Sequence, residues 1–462
     1  MAQSCGAATQ DGVRSLPASD AWRRDAVFLV ALATGLVVRI AFSVWTDTFN
    51  RFLADDLLYV QKAEQWRQTG ILETGALERP PGYFAFLYVT SFLTGTGTAW
   101  HVLAKILQSI ASAATAVPIY ALADRVAGRT AARIAAAFFL LNPTMIAYAG
   151  MLWPETLYTL LTTIVFWRTS LLQPGQIARP LILGILTGYA MLLKPAIGAF
   201  TVFLAFSWLL RFGWIGAIRL ALVFATATAL VLAPWVIRNQ TRYGPEILLE
   251  NEAPYNLWMG SHPGEPQEVF DAWHRLPDPL TRARVASEMG WQGIVDDPVG
   301  YARRSALRAL NFWGLEWFVA RNLALEAWGK LGVSTFLEWF WVLQVGWIAT
   351  LVCAATGIRE TWRDPHMKLL LAWTAFFTVL VAGLVATTRF RMPFEAVLAV
   401  LAGVGVSGIA ERRLKPVDLV PAAIAVCILA LSAQRPLFEF ILSDELTDLA
   451  QLNRPRWNFF WY

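Results

Sequence analysis

Two adjacent carboxylates, Asp55 and Asp56, follow the first long apolar segment of the sequence. Tyr59 lies four residues after Asp55, so a helix would present these two side chains on one face. At the mouth of a helix bundle, such a carboxylate can act as a general base that accepts a proton from a hydroxyl or an amine. The simpler alternative is that the acidic pair only keeps a surface helix in water.

Two further carboxylates stand beside prolines. Glu78 and Arg79 precede the stiff turn Pro80–Gly82, where proline fixes the backbone and would hold both charged side chains in place. Glu155 follows Pro154 and falls in the first turn of a predicted helix. The helix dipole alone also explains a carboxylate there, so Glu155 is either a functional group or a helix-end charge.

Three basic side chains mark the ends of later apolar segments. Lys194, followed by Pro195, separates two short apolar segments. A charge at that depth is costly, so a function is the default hypothesis and snorkelling to the headgroups is the alternative. Arg389 and Arg391 precede another apolar segment, and their guanidinium groups suit a phosphate. For Arg391 the alternative is a helix pair with Glu395.

His262 lies alone in a stretch rich in glycine and proline. A lone histidine is a weak sign of a metal, because metal sites need several ligands at defined spacing. Glu78, or Asp55 with Asp56, could add oxygen ligands. No cofactor is therefore assigned, and a divalent metal bound by Glu78 and His262 stays an open alternative.

Aromatic side chains accompany these charges in both long polar segments. Tyr83 follows the stiff turn, and Tyr255 and Asn256 precede His262. Such rings could stack on a sugar or line a groove for a lipid chain. The alternative is plain anchoring at the membrane interface, where tyrosine and tryptophan are common.

The elements that must position these residues are membrane spans. Of the 462 residues, 56% are hydrophobic and only 15% are charged, which is more apolar surface than a soluble core absorbs. We predict an all-α polytopic membrane protein with about 11 transmembrane helices, in a range of about 10 to 13, at roughly 20 residues a span. The predicted spans lie near residues 26–45, 101–123, 133–151, 155–171, 181–193, 196–211, 216–237, 335–357, 367–388, 392–409 and 416–433.

Lysine and arginine collect in the short loops that share one side of the membrane with the N-terminus. Because positive loops stay inside, we predict an inner-membrane-type protein with a cytoplasmic N-terminus and a working site on the non-cytoplasmic face. Arg389 and Arg391 then lie on the outer side, against the trend. Such an exception indicates an anionic partner.

The chain divides into three predicted parts. Residues 1–24 are predicted to be a disordered cytoplasmic tail, and residues 435–462 a short periplasmic tail. The transmembrane domain, 25–434, includes two periplasmic loops, 46–100 and 238–334.

Helical patterns are also predicted inside the two loops. Ala54–Thr69 and Tyr83–Leu93 read as amphipathic helices on the membrane surface, and 281–295 and 299–317 as helices of a small cap. The net charge of +5 follows from the cytoplasmic loops, so no nucleic-acid partner is predicted. The three cysteines offer no pair in an external loop, and no disulfide is predicted.

These motifs, in this order and at one membrane face, resemble the ordered signature of the GT-C class of membrane glycosyltransferases. In particular, the chain resembles the bacterial branch of the protein O-mannosyltransferase family, which includes the lipid A aminoarabinose transferases. The resemblance covers nearly the whole chain after about residue 25 and includes the stretch 256–260 before a proline-rich turn. It implies a GT-C-like helix bundle.

The resemblance also implies an activity, namely transfer of a sugar from a polyprenyl-phosphate donor to a lipid, glycan or protein acceptor with inversion. By it, Asp55 would be the base, with Asp56 and Glu155 as further catalytic candidates. Arg389, Arg391, Lys194 and Arg79 would bind the donor phosphate. The substrate-binding candidates are Tyr59, Glu78, Tyr83, Tyr255, Asn256 and His262.

Two departures from the family pattern limit this transfer of roles. The family usually has Asp-Glu where this chain has Asp55 and Asp56, which weakens the role of Asp56. Leu58 stands where aminoarabinose transferases carry a basic residue, so that sugar is not assigned.

A transporter or flippase of a lipid-linked sugar is the main alternative function, since it would also bind phosphate through arginines. Its ionisable residues would lie near the middle of the bilayer, often in repeated broken helices. Here they gather at one face, which favours an enzyme. A non-catalytic subunit, in which Asp55 has no role, is the third hypothesis.

Overall fold

The computed structural model describes residues 21–47, 54–75, 79–173, 175–329, 331–413 and 415–442. Within these residues every regular element is a helix, which confirms the predicted all-α class. Of the predicted N-terminal tail, residues 1–20 lie outside the described residues. Ala21–Arg24 form a 3₁₀ turn directly before the first helix.

Nine helices build the half of the molecule that carries Asp55 and Glu155. The helix predicted for Ala54–Thr69 has these same bounds in the structure, and the predicted aromatic helix 83–93 lies within the third helix. The helices are α1 (Ala26–Asp47), α2 (Ala54–Thr69), α3 (Gly82–Thr94), α4 (Thr98–Ala114), α5 (Ala116–Ala127), α6 (Arg129–Leu140), α7 (Pro143–Ala149), α8 (Glu155–Ser170) and α9 (Ala178–Leu193).

One apolar segment of this half is bent, because α6 and α7 meet at 54°. The side chain of Asn142 caps the second arm by accepting from two backbone N–H groups of α7. Arg39 of α1 is fully buried and caps the first arm, donating to the carbonyl oxygens of Phe139 at 3.0 Å and Leu140 at 2.7 Å. The bend therefore depends on a charged side chain from α1.

A long helix, α10 (Phe200–Tyr243), follows a 3₁₀ turn at Pro195–Ala199. The two together comprise 49 residues. At 1.5 Å per residue this is about 70 Å, more than twice the thickness of a hydrocarbon layer. Gly213 interrupts the helix with a φ of 67°, in the left-handed region that glycine tolerates. The two predicted spans 196–211 and 216–237 correspond to the two arms on either side of this break.

The second polar loop folds into five short helices, here called the cap. The predicted helix 281–295 lies within one of them, whereas the helix predicted for 299–317 ends early, because Gly314–Glu316 leave the helical path. Trp258, Val269, Trp273 and Ala286 form a small core of the cap. The cap helices are α11 (Glu252–Ser261), α12 (Pro266–His274), α13 (Pro279–Asp296), α14 (Pro298–Trp313) and α15 (Trp317–Ala324).

Four helices complete the bundle: α16 (Val333–Thr361), α17 (Pro365–Gly383), α18 (Met392–Ala410) and α19 (Val420–Leu442). The helix α18 is central, since 89% of an apolar 18-residue stretch within Thr388–Ala410 is buried. A 3₁₀ turn, Thr388–Arg391, leads into it. The helix α19 continues through Leu442, past the start of the predicted C-terminal tail, and residues 443–462 lie outside the described ones.

Seven of the described helices are long and apolar enough to cross a membrane, and the bent pair α6 with α7 makes eight. A multi-pass helical membrane protein is therefore confirmed. The predicted count of about 11 spans also needs α8, α9 and the separate arms of α10, at roughly 20 residues a span. Both α8 and α9 have 16 residues, so this count stays a prediction.

Candidate functional site

Five charged side chains predicted from the sequence meet in one cluster, here called the charge cluster. Asp55 accepts from Arg79 Nη1 at 3.2 Å and from Arg389 Nη1 at 2.5 Å. Glu155 accepts from Arg389 Nε and pairs with Lys194 Nζ at 2.6 Å. Arg389 thus bridges two carboxylates that stand 100 residues apart in the chain.

Four of the five members of the charge cluster lie at or beside a helix end. Asp55 lies in the first turn of α2 and Glu155 in the first turn of α8, where backbone N–H groups and the helix dipole favour a carboxylate. Lys194 is extended between α9 and the next 3₁₀ turn, since Pro195 cannot continue the helix. Arg389 lies in the 3₁₀ turn that precedes α18.

Aromatic rings hold the cations of the charge cluster in place. The guanidinium carbon of Arg389 lies 4.1 Å from the ring centre of Trp153 and 5.7 Å from that of Phe318. Lys194 Nζ lies 5.1 Å from the ring centre of Phe390. Cation–π contacts in such a desolvated place favour the charged form and restrict the side chains to one geometry.

The charge cluster carries more positive than negative charge, with three cations against Asp55 and Glu155. Among the described residues, Glu155 Oε2 and Arg79 Nε are buried without a hydrogen-bond partner. The side chains of Asp55, Lys194 and Arg79 keep 24%, 23% and 15% of their surface exposed. An anion that reaches the cluster would therefore find cations and an unused donor.

The two neighbouring aspartates have different surroundings. Burial alone would raise the pKa of Asp55, but the guanidinium groups of Arg389 and Arg79 outweigh it and hold that pKa well below its usual range. Asp56 is buried, and its Oδ1 accepts from the backbone N–H of Leu152 at 2.7 Å. Burial raises the pKa of Asp56 to about 7. Asp56 ties α2 to the loop before Glu155 and does not join the charge cluster's ion pairs.

Arg391, predicted as a second phosphate ligand, lies in a different and fully buried network. Its side chain is 1% exposed and pairs with Glu316 and, at 3.7 Å, with Glu395. Its Nη1 donates to the carbonyl oxygens of Phe312 and Gly314, both at 3.0 Å. Arg391 therefore has no open side from which to reach a phosphate, and the structure does not bring it into the charge cluster with Arg389.

Glu316 is a residue that sequence reasoning missed. One carboxylate oxygen accepts from Thr388 Oγ1 at 2.7 Å, and the other accepts from Arg391, so Glu316 holds the residues on both sides of Arg389. Gln344 of α16 donates to the backbone of Glu316 at 3.0 Å and accepts from it at 2.7 Å. The available signal was a single glutamate inside the apolar stretch 312–320, which is costly unless it is paired.

Tyr59 and Tyr83 lie behind the charge cluster. Tyr59 is 5% exposed, packs edge-on against Tyr83 at 4.9 Å, and has the guanidinium of Arg79 5.6 Å above its ring. The hydroxyl of Tyr83 donates to Gln108 at 2.6 Å inside the core. Tyr59 thus supports Arg79, whereas Tyr83 is a core residue without an exposed face.

The other predicted substrate residues belong to the cap. Tyr255 packs on Trp273 at 5.0 Å, Asn256 is half-buried on the same helix, and His262 Nε2 pairs with Glu268 at 2.8 Å. Glu78 lies outside the described residues. The residues that are described hold no group of three side chains suited to a metal.

The cap also brings an acidic residue near the cations. Glu250 lies close enough to Lys194 and Arg79 for both to lower its pKa, yet burial and the neighbouring Glu252 raise that pKa to about 8. At neutral pH the carboxyl of Glu250 is then mostly neutral. It therefore leaves the positive excess of the charge cluster largely in place.

No family model matches the sequence, and no curated protein matches it either. Among solved structures, it is similar to the Archaeoglobus fulgidus oligosaccharyltransferase in complex with zinc and sulfate, with 16% identity, a TM-score of 0.49, and coverage of 92% of this chain and 53% of that chain. The same archaeal enzyme, AglB, with an inhibitory peptide and a dolichol-phosphate, matches with 16% identity, a TM-score of 0.48, and coverage of 92% and 56%. This chain thus spans about half the length of the archaeal chains.

A third similar structure is ArnT from Cupriavidus metallidurans bound to undecaprenyl phosphate. The identity is 15%, the TM-score is 0.42, and the match covers 90% of this chain and 89% of that chain. At identities of 15% to 16% and TM-scores of 0.42 to 0.49, these matches assign no family and no activity to this chain. The roles of individual residues rest on this chain's own geometry.

Removal of Arg389 and removal of Arg391 should lower the free energy of unfolding by different amounts. Arg391→Leu leaves Glu316 and Glu395 buried without a cation, and we expect a loss of about 3 to 5 kcal/mol of unfolding free energy. Arg389→Leu should lose less, because Asp55 keeps Arg79 and Glu155 keeps Lys194. Unfolding of the two purified variants in one detergent measures the difference. Equal losses would contradict the assignment of Arg391 to structure and Arg389 to the site.

The buried carboxyl of Asp56 should make stability depend on pH. Its pKa is about 7 in the folded protein and near 3.9 when unfolded, so the folded state holds the extra proton between these values. The contribution of Asp56 to stability should fall as pH rises from about 4 to 7, by up to about 4 kcal/mol at 1.36 kcal/mol per unit, and then level off. Asp56→Asn keeps an acceptor for Leu152 and should remove this slope. An unchanged slope in Asp56→Asn would refute the assignment.

Proposed function

We propose that this chain is an inverting glycosyltransferase of the bacterial inner membrane, with its N-terminus in the cytoplasm and its site on the periplasmic face. It would move a sugar from a polyprenyl-phosphate donor to a hydroxyl or amine of a cell-envelope lipid, glycan or protein. The observation that carries the proposal is the bridge from Arg389 to both Asp55 and Glu155, beside the partly exposed cations Arg79 and Lys194.

The donor phosphate would bind the cations of the charge cluster. Arg79, Lys194 and Arg389 come from three different chain segments and converge on one place, as recognition of a phosphate requires. Negative charge grows on this phosphate as the sugar leaves, and pre-placed cations stabilise that charge more in the transition state than in the ground state. Arg391 is left out of this set, since its contacts are all internal.

Asp55 would act as the base. Its carboxylate takes the proton of the acceptor while the acceptor oxygen or nitrogen attacks the anomeric carbon. The bond from that carbon to the phosphate oxygen breaks, and its electron pair stays on the phosphate. A single displacement of this kind inverts the anomeric centre. Glu155 would hold Arg389 and Lys194 at the leaving group, since it pairs with both.

The charge cluster also suggests how the base becomes active. Two arginines hold the pKa of Asp55 well below its usual range, and a base with so low a pKa accepts protons poorly. A donor phosphate that engages Arg79 and Arg389 offsets their charge, so the pKa of Asp55 rises. Donor binding would then precede acceptor activation.

The charge cluster lies at helix ends that the predicted topology puts on one face of the membrane. Asp55 and Glu155 begin helices, Lys194 follows the end of α9, and Arg389 precedes α18. A transporter site near the bilayer midplane would be expected in the middle of spans. This placement supports an enzyme over a flippase.

Asp55→Asn should remove the base. We expect sugar transfer from a polyprenyl-phosphate donor in vesicles to fall by about 10² to 10⁴, the usual contribution of general base catalysis. Asp296→Asn, at the exposed end of α13, is the matched control and should transfer normally. Repeating the assay with a chelator tests the open metal alternative. Unchanged transfer by Asp55→Asn would exclude the catalytic role.

Lys194→Gln should weaken the donor site without removing the base. We expect binding of undecaprenyl phosphate to weaken at least about tenfold, which corresponds to 1.4 kcal/mol. The matched control is Lys62→Gln on α2, whose ammonium contacts only Gln65 among the described polar partners. If both variants bound undecaprenyl phosphate equally well, Lys194 would have no part in phosphate recognition.

A further inference from the structure

The cap helix α14 has an exposed side that is almost entirely apolar, here called the α14 face. Val299 is 80% exposed and Leu307 is 50% exposed, and the exposed alanines 302 and 306 lie between them at helical spacing. Arg303 is the charged residue of this face. The end of α13 continues the surface with Trp291, 65% exposed, and Val295, 70% exposed, next to the exposed polar side chains of Gln292 and Asp296.

The opposite side of α14 is fastened to membrane helices. Tyr301 donates through its hydroxyl to the carbonyl oxygen of Gly383 at 2.7 Å, and Arg308 Nε donates to that of Ala382 at 2.7 Å. These are among the last carbonyls of α17, which lack helical partners and attract a cation. The cap helix is therefore held at the end of a membrane span and is not free above it.

The C-terminal end of α14 lies deeper in the bundle than its start. Trp313 donates to Thr378 Oγ1 at 3.2 Å, and its ring stacks on Trp347 of α16 at 6.4 Å. Thr378 precedes the end of α17 by five residues, which is about 7 Å at 1.5 Å per residue. The helix therefore descends from the end of α17 into the outer part of the apolar bundle.

The α14 face is continuous with the outward surfaces of two membrane spans. On α17, Val379 is 72% exposed and neighbours Thr378, which contacts α14. On α19, Leu431 is 58% exposed, and the adjacent Ser432 packs closely against Gly314. Side chains such as Val379 and Leu431, exposed on spans, face lipid. The α14 face starts at the level of the end of α17, and the C-terminal end of α14 reaches the depth of Thr378, so the face borders these lipid-facing surfaces.

We infer that the α14 face is embedded in the outer leaflet of the membrane, so that α14 is a lipid-contacting helix and not part of a water-exposed cap. Acyl chains cover Val299, Leu307 and the adjoining Trp291. Arg303 reaches from this apolar flank to the lipid phosphates, as long basic side chains do at an interface. This inference concerns the fold's lipid contacts and stands independently of the proposed enzyme activity.

The test is spin labelling of the full chain in lipid nanodiscs. Cys5, Cys353 and Cys427 are replaced by alanine, and single cysteines carry a nitroxide at Val299 or at Leu307. Val379→Cys is the lipid-facing reference and Gln267→Cys, on the exposed side of α12, is the water-facing reference. Collision rates with oxygen, which concentrates in lipid, and with a water-soluble nickel chelate are measured at each site.

The expected result is an oxygen-to-chelate collision ratio at positions 299 and 307 that matches the one at 379 and is several-fold above the one at 267. A ratio equal to that at 267 would overturn the inference, since it shows water on the α14 face. Protection from both reagents, with dipolar broadening between labels, would also overturn it, because a second copy would then cover the face. If a labelled variant fails to fold, Ala302→Cys on the same face replaces it.

Discussion

Arg389 donates to two carboxylates that reach it from different sides of the bundle, Asp55 at the start of α2 and Glu155 at the start of α8. None of these charges could stay among apolar helix ends alone, because an unpaired ion at such a place costs several kcal/mol. The bridge therefore fixes three helix ends against one another. The rings of Trp153, Phe318 and Phe390 pack against Arg389 and Lys194 and shield the ion pairs from water.

Arginine–carboxylate pairs occur in two neighbouring networks, one buried and one partly exposed. The network of Arg391, Glu316 and Thr388 is buried, and its carboxylate and hydroxyl and the Nη atoms of Arg391 are hydrogen-bonded within the core. The charge cluster is partly exposed and keeps unused polar atoms. The first network fixes the short turn that carries Arg389, and the second can exchange a carboxylate for a ligand. Rigidity next to a replaceable ion pair is what a site needs to bind an anion in one defined geometry.

Sequence reasoning located the membrane architecture and the charge cluster, because both follow from local signals. Long apolar runs, prolines beside charges and the bounds of α2 are properties of consecutive residues. Sequence reasoning did not distinguish neighbouring residues that differ only in the direction of their side chains. Asp55 and Asp56 are about 100° apart on a helix, so one meets Arg389 and the other meets Leu152.

The same limit applies to Arg391, which the sequence places beside Arg389. A 3₁₀ helix has three residues per turn, so the side chains at positions 389 and 391 point to different sides. Only the packed neighbours decide which side holds the site. Glu316 was missed for a further reason: its partners Thr388, Arg391 and Gln344 are distant in sequence. A single chain gives no signal for such pairings beyond the cost of an isolated acidic residue.

The bend between α6 and α7 has a consequence for the order in which the protein is assembled. Arg39 caps the end of α6 by donating to the backbone carbonyl oxygens of Phe139 and Leu140. These two residues are synthesised 100 and 101 residues after Arg39. Until that segment enters the membrane, α1 carries a guanidinium in its apolar run with no partner from α6. The first span therefore gains these two hydrogen bonds only after the sixth helix has been synthesised.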